Sequence, residues 1–362
     1  MIKYFFILGR NPELSIAEIK AKFKVKDFIR KGNAILVDFE KPIQEKAIDE
    51  LGGTISIGKV ISEIDKKKLD KENLYLGTKN KLNYVIWNFS EKYDEISIYL
   101  KKRFREEKLK STEKKLTGMM ETQDGKMISI SSSKNVEEQF FVFENYFGRI
   151  IQTSDYEAIE KRDMKKPVRR EELSISPRIA KIMISLSGVD KNKKLIDPFC
   201  GIGVILQEAL LQGINAIGID KDEEAIEGAK KNLEWFGFSK KNYELIVADS
   251  SNVRISGADA LVSEPDLGKI LRRSPKKEEA SKTLKNFEEL VINTIENLRK
   301  NISGKIVFSS PFIQAIDSKK RIGCDFEKIA SRTGLKLAEG FPISEFRKNQ
   351  IVGREIVVLG RN

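Results

Sequence analysis

The sequence predicts an α/β protein: a doubly wound, mostly parallel sheet in the C-terminal part of the chain, preceded by two smaller α+β units. From about residue 174 onward, helix-like and strand-like segments alternate strictly, as in a sheet with helices on both faces. Before residue 160 the order of segments is instead that of small mixed units. The predicted domains are residues 1–65, 66–160 and 174–362, joined by a basic linker at 161–173.

The first 65 residues have the element order of a ferredoxin-like unit. Apolar residues 4–8 predict a strand, and Asn11-Pro12 then begins a helix, because asparagine caps helix N-termini and proline fits the first turn. A Gly-Asn pair at the end of the next strand predicts a hairpin. A short helix and a last strand complete the order strand-helix-strand-strand-helix-strand. The later segments are strands at 27–30, 34–39 and 54–64 and a helix at 43–51.

Residues 66–160 predict a second α+β unit with a basic helix. Residues 101–110 of that helix carry six basic and two acidic side chains, and residues 161–170 of the linker carry six and one. Such stretches are typical of proteins that bind polyanions, although solvated helix faces have the same composition. The predicted segments are strands at 84–89, 127–131, 140–143 and 148–153 and a helix at 91–108.

In residues 174–362 the apolar positions follow helical and strand periods in turn. The helix at 177–186, for example, has Ile179, Ile182, Met183 and Leu186 on one face. The other predicted helices are 204–211, 223–236 and 287–298. The predicted strands are 194–196, 216–219, 245–247, 258–262, 306–309, 335–340 and 351–359.

Composition excludes several classes of chemistry. The 362 residues include no histidine, which excludes Ser-His and Cys-His nucleophilic catalysis and most transition-metal sites. Cys200 and Cys324 are the two cysteines, too few for a disulfide framework or a zinc cluster. The net charge is +12, and no apolar run has the length of a membrane helix. With no signal-peptide pattern either, we expect a cytoplasmic protein.

A cofactor site is predicted where a strand runs into the turn 197–203 (Asp-Pro-Phe-Cys-Gly-Ile-Gly). Ligands of doubly wound sheets bind at the carboxyl ends of the strands, and Gly201 and Gly203 allow a ligand to approach the backbone. Asp197 ends the first strand, where a carboxylate can hold an amino group. Asp220 ends the second, where it can bind ribose hydroxyls, and Asp249 ends the third, where it can accept a hydrogen bond from an adenine amine.

A dinucleotide site is the competing interpretation of this turn. It requires G-x-G-x-x-G, whereas the third glycine position here is Leu206. Asp197 and the apolar Phe199 also crowd the place where a pyrophosphate binds. A cofactor with a positive centre and no phosphate fits better, and S-adenosyl-L-methionine is such a molecule. Glycine turns that serve packing alone are the remaining alternative.

The turn 197–203 resembles motif I of the RNA methyltransferases that modify guanine N2 in tRNA. Residues 165–170 with 174–180, and residues 218–220 with 228–233, are similar to the elements that flank this motif in the same family. The similarity is closest to the tRNA guanosine-10 N2-methyltransferases, which place a ferredoxin-like unit and a THUMP RNA-binding domain before a Rossmann-like catalytic domain. The resemblance implies S-adenosyl-L-methionine as cofactor, tRNA or another structured RNA as partner, and a THUMP-like identity for residues 66–160.

The catalytic signature of that family is Asp-Pro-Pro-Tyr-Gly, and residues 264–268 of this chain read Glu-Pro-Asp-Leu-Gly. By resemblance, Glu264 and the backbone carbonyl of Pro265 accept the two hydrogens of the target amine. Leu267 takes the place of the aromatic residue that stacks on the base. Phe199 and Phe312 are candidates to replace that ring.

Three functions follow from these features. The first is methylation of a guanine N2 amine in tRNA. The second is methylation of an amine in DNA or in another RNA. The third, suggested by Asp266 and Leu267, is a cofactor-sensing RNA-binding protein without catalysis.

Overall fold

The computed structural model describes residues 1–130, 135–170, 175–266 and 273–361. The chain forms two compact units. One contains residues 1–16, 24–49 and 53–155, and the other contains residues 17–23, 50–52 and the chain from residue 156 onward. Within the described ranges, no helix combines the length and the apolar character needed to cross a membrane.

Up to residue 155 the chain alternates short helices with strands. In order, its elements are β1 (Ile2–Leu8), α1 (Pro12–Phe23), β2 (Ile29–Lys31), β3 (Ala34–Phe39), a 3₁₀ helix (Ala47–Glu50), β4 (Thr54–Glu63), α2 (Lys66–Leu69), β5 (Lys81–Phe89), α3 (Tyr93–Glu106), β6 (Lys110–Glu113), β7 (Gly118–Glu121), β8 (Met127–Ile130), β9 (Glu138–Phe143) and β10 (Tyr146–Thr153).

The first unit is built on one mixed sheet with the strand order β2-β3-β1-β4-β10-β9-β5-β6. The antiparallel pairing of β10 with β4 makes this sheet continuous across residue 65, where the sequence predicts a domain boundary. Phe5 of β1 and Phe141 of β9 stack across it, with ring centroids 4.1 Å apart and planes inclined by 12°. Gly58 and Gly148, on the two strands between them, leave room for the Phe141 ring. Separate domains at 1–65 and 66–160 stay a prediction.

The second unit contains the predicted alternation of helices and strands. Its elements from residue 156 are α4 (Tyr156–Lys165), α5 (Pro177–Ser187), β11 (Lys194–Asp197), α6 (Val204–Leu211), β12 (Asn215–Asp220), α7 (Glu223–Trp235), β13 (Tyr243–Val247), β14 (Ala260–Ser263), α8 (Lys277–Leu298), a 3₁₀ helix (Arg299–Asn301), β15 (Ile306–Ile313), α9 (Phe326–Thr333), β16 (Lys336–Leu337), β17 (Ile343–Glu345) and β18 (Val352–Gly360).

These strands form a sheet in the order β13-β12-β11-β14-β15-β18-β16, with β17 also paired to β18. The strands from β13 to β15 are parallel and β18 runs antiparallel, so the predicted doubly wound, mostly parallel Rossmann-like sheet is confirmed. The strand order reverses between β11 and β14. The loops that follow these two strands therefore border the crevice where α/β sheets bind ligands.

Helices are fixed around this sheet by caps and by an apolar core. Ser176 accepts a hydrogen bond from the backbone N–H of Ile179 at the start of α5, and Gly188 ends that helix in the left-handed conformation. The core joins the inner faces of the central strands to α8 and α9. Its largest buried members include Phe287, Ile292, Phe308, Ile329 and Val357.

The linker predicted at 161–173 begins with the second half of α4, a helix in which none of the side chains is fully buried, and its role as a linker stays a prediction. Other predicted elements of the second unit are wrong. The strand predicted at 335–340 is reduced to Lys336–Leu337, because the chain turns before the left-handed Gly340. Helix α8 begins at Lys277, ten residues before its predicted start, and α9 was not predicted.

Candidate functional site

The loop between β11 and α6 contains two glycines with positive φ. Gly201 has a φ of 51° and Gly203 a φ of 84°. A Cβ on Gly201 would meet no heavy atom of the described residues within 4 Å, so among these residues the loop faces open space at this position. A Cβ on Gly203 would lie 3.3 Å from the Cβ of Ala229 in α7. Gly201 thus leaves the backbone accessible to a ligand. At Gly203, the close approach of α7 explains why a residue without a side chain is needed for packing.

Asp220, the last residue of β12, holds the same loop from the side. Its Oδ2 accepts a hydrogen bond of 2.9 Å from the backbone N–H of Gly201, and its Oδ1 accepts one of 3.0 Å from Asp222. Each carboxylate oxygen has two acceptor positions, so these two bonds leave acceptor capacity on both. Asp220 therefore stands next to the open side of the glycine loop, where the sequence predicts a ribose contact.

Asp197 lies beneath the loop and is only 1% exposed. Its Oδ1 accepts hydrogen bonds from Ser263 Oγ at 2.5 Å and from the Phe199 N–H at 3.2 Å. Burial raises the pKa of Asp197 to about 7; the two hydrogen bonds oppose the shift, and the charges of Asp220 and Glu264 add to it. Asp197 is thus a buried charge at the floor of the crevice rather than an exposed one.

Glu264 and Pro265 follow β14 at the same edge of the sheet. The Glu264 side chain is 9% exposed and forms an ion pair with Arg354 of β18, with Nε 2.5 Å from Oε1. Ser309 Oγ of β15 donates a second hydrogen bond of 3.0 Å to Oε1. These contacts fix the carboxylate. Leu267 lies outside the described residues.

Phe199 borders a small apolar cavity with Pro265. The cavity is lined by Pro198, Phe199, Leu261, Ser263, Pro265, Val291, Thr294, Ile295, Ile306 and Phe308. Phe199 is therefore next to the predicted catalytic segment. Ser309 of β15 bonds Glu264, whereas Ser310 points to the opposite face of the strand and bonds Cys324. Phe312, two residues after Ser310, shares the face of Ser310 and therefore points away from Glu264.

Asp249 is not part of this group. It follows the end of β13 by two residues, is exposed, and its Oδ1 accepts hydrogen bonds from the N–H and Oγ of Ser251 at 2.8 and 2.7 Å. The hydrogen bonds from Ser251 lower the pKa of Asp249. The predicted contact of Asp249 with an adenine amine stays a prediction.

A segment before the glycine loop is fastened to it through Asn232 of α7. The Asn232 side chain accepts a hydrogen bond from the Val168 N–H and donates to the Val168 and Ile202 carbonyls. Arg170 pairs with Asp222 at 2.8 Å. Sequence reasoning did not single out Asn232, Ser263, Ser309 or Arg354. Asn232 lies within a quoted motif, whereas the other three have no sequence signal of their own.

Comparisons with known proteins relate this chain to methyltransferases. Residues 167–293 match the model of the UPF0020 family, described as an RMKL-like methyltransferase domain. The chain is 33% identical over 146 residues to the tRNA (guanine(10)-N2)-dimethyltransferase of Methanothermobacter thermautotrophicus; this alignment covers 40% of the chain and 41% of that protein. It is 25% identical over 335 residues to the protein of the same name from Pyrococcus abyssi, covering 88% of the chain and 92% of that protein.

The crystal structure of TrmN from Thermus thermophilus has a similar fold. It matches all of this chain and all of its own with a TM-score of 0.50 and 11% sequence identity. At that identity the likeness concerns the fold alone.

The crevice fits S-adenosylmethionine, the cofactor that a methyltransferase domain implies. This molecule carries a sulfonium, an ammonium and ribose hydroxyls but no phosphate. Asp197, Asp220 and Glu264 place negative charge around the crevice, and Gly201 leaves its loop open to a ligand. The second unit of this chain is therefore an S-adenosylmethionine-dependent methyltransferase domain, similar in sequence to tRNA methyltransferases.

Proposed function

We propose that the protein transfers a methyl group from S-adenosylmethionine to the exocyclic N2 amine of a guanine in tRNA. The observation that carries the proposal is the position of Glu264-Pro265 at the end of β14, hydrogen-bonded through the preceding Ser263 to Asp197 of the cofactor loop. Two of the proteins with similar sequence are named tRNA (guanine(10)-N2)-dimethyltransferases, and one of them aligns over 88% of this chain.

The chemistry of the target explains why a carboxylate and a carbonyl are needed together. The lone pair of a guanine amine is delocalised into the ring, which makes the nitrogen a weak nucleophile. In the proposed complex Glu264 accepts one amine hydrogen and the Pro265 carbonyl accepts the other. The lone pair then points out of the base plane, toward the cofactor side. Most of the rate enhancement comes from this positioning.

The surrounding residues prepare Glu264 for that task. When bound, S-adenosylmethionine supplies an electrophilic methyl group on a positively charged sulfur. Asp197 and Asp220 favour that positive charge at the crevice, and Phe199 closes its apolar side next to Pro265. Arg354 and Ser309 hold the Glu264 carboxylate in a fixed position. Glu264 then accepts the proton that the nitrogen loses after methylation.

RNA binding is proposed for the basic parts of the chain, with residues 66–160 as a THUMP-like domain. Their net contribution is smaller than the sequence suggests. In 101–110, Lys101, Lys102 and Arg103 form ion pairs with acidic residues. In 161–170, Arg162, Lys166 and Arg170 do so. These ion pairs weaken the local positive field without removing it, and the net charge of +12 still favours a polyanion.

The proposal is tested with the full-length protein, labelled S-adenosylmethionine and tRNA, followed by mass spectrometry of the nucleosides. We expect N2-methylated guanosine, and no product from tRNA in which inosine, which lacks the N2 amine, replaces the target guanosine. Glu264→Gln keeps a hydrogen-bond acceptor but cannot take up the amine proton, so it should lower the rate about 100-fold or more. The matched control is Glu327→Gln, on the exposed side of α9.

The other outcomes identify the alternatives. Methylated adenine or cytosine, or methylation of DNA in preference to RNA, would replace guanine N2 as the target. Tight cofactor and RNA binding with no methyl transfer to any nucleic acid, unchanged by Glu264→Gln, would indicate a cofactor-sensing binding protein.

A further inference from the structure

Arg354 lies on β18, between β15 and β17, and forms the ion pair with the proposed catalytic carboxylate, Glu264. It is paired in register with Pro311 of β15 on one side and with Glu345 of β17 on the other. Strand alternation places it on the same face as Ser309, and both side chains contact Glu264. Arg354 is thus brought to the site from a strand 90 residues away in sequence.

The pair of side chains keeps hydrogen-bonding capacity beyond its own ion pair. A guanidinium has five N–H donors, and Glu264 takes two of them, through Nε and Nη2. Oε1 of Glu264 already accepts from Ser309 and Arg354, whereas Oε2 has, within the described part of the chain, a single long contact of 3.4 Å. The Arg354 side chain remains 23% exposed, so its outer donors can be reached. Donors of Arg354 and an acceptor of Glu264 therefore stand side by side.

We propose that Glu264 and Arg354 together read the N2–N1–O6 edge of the target base, which makes Arg354 a specificity-determining residue. The inference rests on the proposed function. Glu264 Oε2 accepts from N2–H and N1–H in place of its long contact with Arg354, the Pro265 carbonyl accepts the second N2 hydrogen, and an outer Nη of Arg354 donates to O6. The order carbonyl, carboxylate, guanidinium along the protein complements the order amine, N1–H, O6 along guanine.

Guanine is the only standard base that presents this order next to an exocyclic amine. In adenine and cytosine the ring nitrogen beside the amine has no hydrogen, so its lone pair would face the Glu264 carboxylate. That contact is repulsive, and a site built around a buried hydrogen-bonding group rejects bases that leave the group unpaired. A guanidinium on a carbonyl oxygen of guanine is also a common form of base recognition.

A simpler role for Arg354 is to hold Glu264 in place, and the two roles predict different results. If Arg354 only positions the carboxylate, its removal slows methylation of guanine and of a base that differs from guanine at O6 alone to the same extent. If Arg354 also reads O6, its removal slows methylation of guanine selectively. The probe is 6-thioguanine, which keeps the amine and the N1–H of guanine but carries sulfur, a weaker hydrogen-bond acceptor, in place of O6.

The experiment uses the full-length protein and two tRNAs that differ only in guanine or 6-thioguanine at the methylated position. The quantity measured is the ratio of kcat/KM for the two tRNAs, which does not depend on the fraction of folded enzyme. We expect the wild type to prefer guanine, and Arg354→Met to reduce this preference about ten-fold or more. Arg354→Lys, which keeps a positive charge beside Glu264, should give an intermediate ratio. Arg332→Met, at an exposed position of α9, is the matched control and should leave the ratio unchanged.

Two results would overturn the inference: a wild type that methylates both tRNAs equally, or Arg354 variants that lose both activities in parallel. Failure of the proposed function would give a different result, because the wild type would then transfer no methyl group to the N2 amine of the target base in either tRNA.

Discussion

Ser263 Oγ donates a 2.5 Å hydrogen bond to Asp197 Oδ1 and thereby joins the carboxyl ends of β14 and β11. Both residues are 1% exposed. The cofactor loop begins at one of them and the Glu264-Pro265 segment follows the other, so a single bond couples the two halves of the site. Because transfer of a methyl group depends on the alignment of donor and acceptor, a small shift at this bond costs rate.

Ser263→Ala tests this coupling. We expect it to lower kcat about ten-fold and the free energy of unfolding by about 1–3 kcal/mol, because Asp197 then loses its side-chain donor while remaining buried. Methyl-transfer rates and chemical denaturation measure the two effects. The control is Ser185→Ala in α5, whose buried hydroxyl has no hydrogen-bond partner in residues 1–130, 135–170, 175–266 and 273–361 and should be dispensable. Equal behaviour of the two variants would contradict the coupling.

Gly201→Ala tests the open side of the cofactor loop. The new Cβ would point into the space where we place the cofactor, so we expect its Kd to rise about ten-fold or more. Left-handed backbone adds a folding cost of about 1–2 kcal/mol for an alanine. Calorimetric titration with S-adenosylmethionine measures the binding.

Gly188→Ala is the matched control for the backbone cost. Gly188 also has a positive φ, 70°, and an added Cβ would meet no atom within 4 Å. It ends α5, so it should show the same loss of stability with unchanged cofactor binding. If both alanine variants bind the cofactor like the wild type, the cofactor does not lie against Gly201.

Gly58→Ala tests the continuity of the N-terminal sheet. An added Cβ would lie 2.6 Å from the nearest ring carbon of Phe141, so the stack of Phe141 on Phe5 has to shift. We expect a loss of about 1–3 kcal/mol of unfolding free energy, the usual cost of overpacking. In a Phe141→Ala background the same change should cost much less. Denaturation of the wild type, the two single variants and the double variant measures this coupling. Additive losses would show that the ring is not the cause.

The glycine loop and its acidic neighbours were predictable because they are local. The turn 197–203 lies between a strand and a helix whose apolar periods are clear, and the structure places Asp197 and Asp220 at the predicted strand ends. The adenine contact of Asp249 stays a prediction, because the position of an acid after a strand does not fix where its carboxylate points. Its hydrogen bonds to Ser251 are made within its own turn.

The partners of Glu264 could not be predicted, since they depend on long-range strand pairing. Ser309 reaches Glu264 because β15 pairs with β14, and Arg354 reaches it because β18 runs antiparallel to β15 in one register. A shift of that register by one residue would turn Arg354 to the opposite face. The same limit explains the continuous N-terminal sheet. The pairing of β4 with β10 joins segments about 90 residues apart, and no local pattern specifies it.

The pH dependence of cofactor binding tests the role of Asp197. Burial raises its pKa to about 7, so in the free protein the carboxyl is largely protonated at lower pH and ionised above pH 7. A positively charged ligand favours the ionised form. Affinity should therefore increase as pH rises from about 5.5 to 7.5, by at most about ten-fold per pH unit, while the ligand's own amine stays protonated.

Folding stability should respond to the same group in the opposite direction. A carboxyl whose pKa is raised in the folded state stabilises the protein fully below its unfolded value, about 4, and this stabilisation is lost as pH rises through about 7. Asp197→Asn keeps the shape but cannot ionise, so it should flatten both profiles between pH 5.5 and 7.5. Calorimetric titration and thermal unfolding at matched pH values measure them. A pH-dependent Kd that persists unchanged in Asp197→Asn would assign the effect to another group. The role of Asp197 would then be limited to its hydrogen bond with Ser263, which joins β11 to β14.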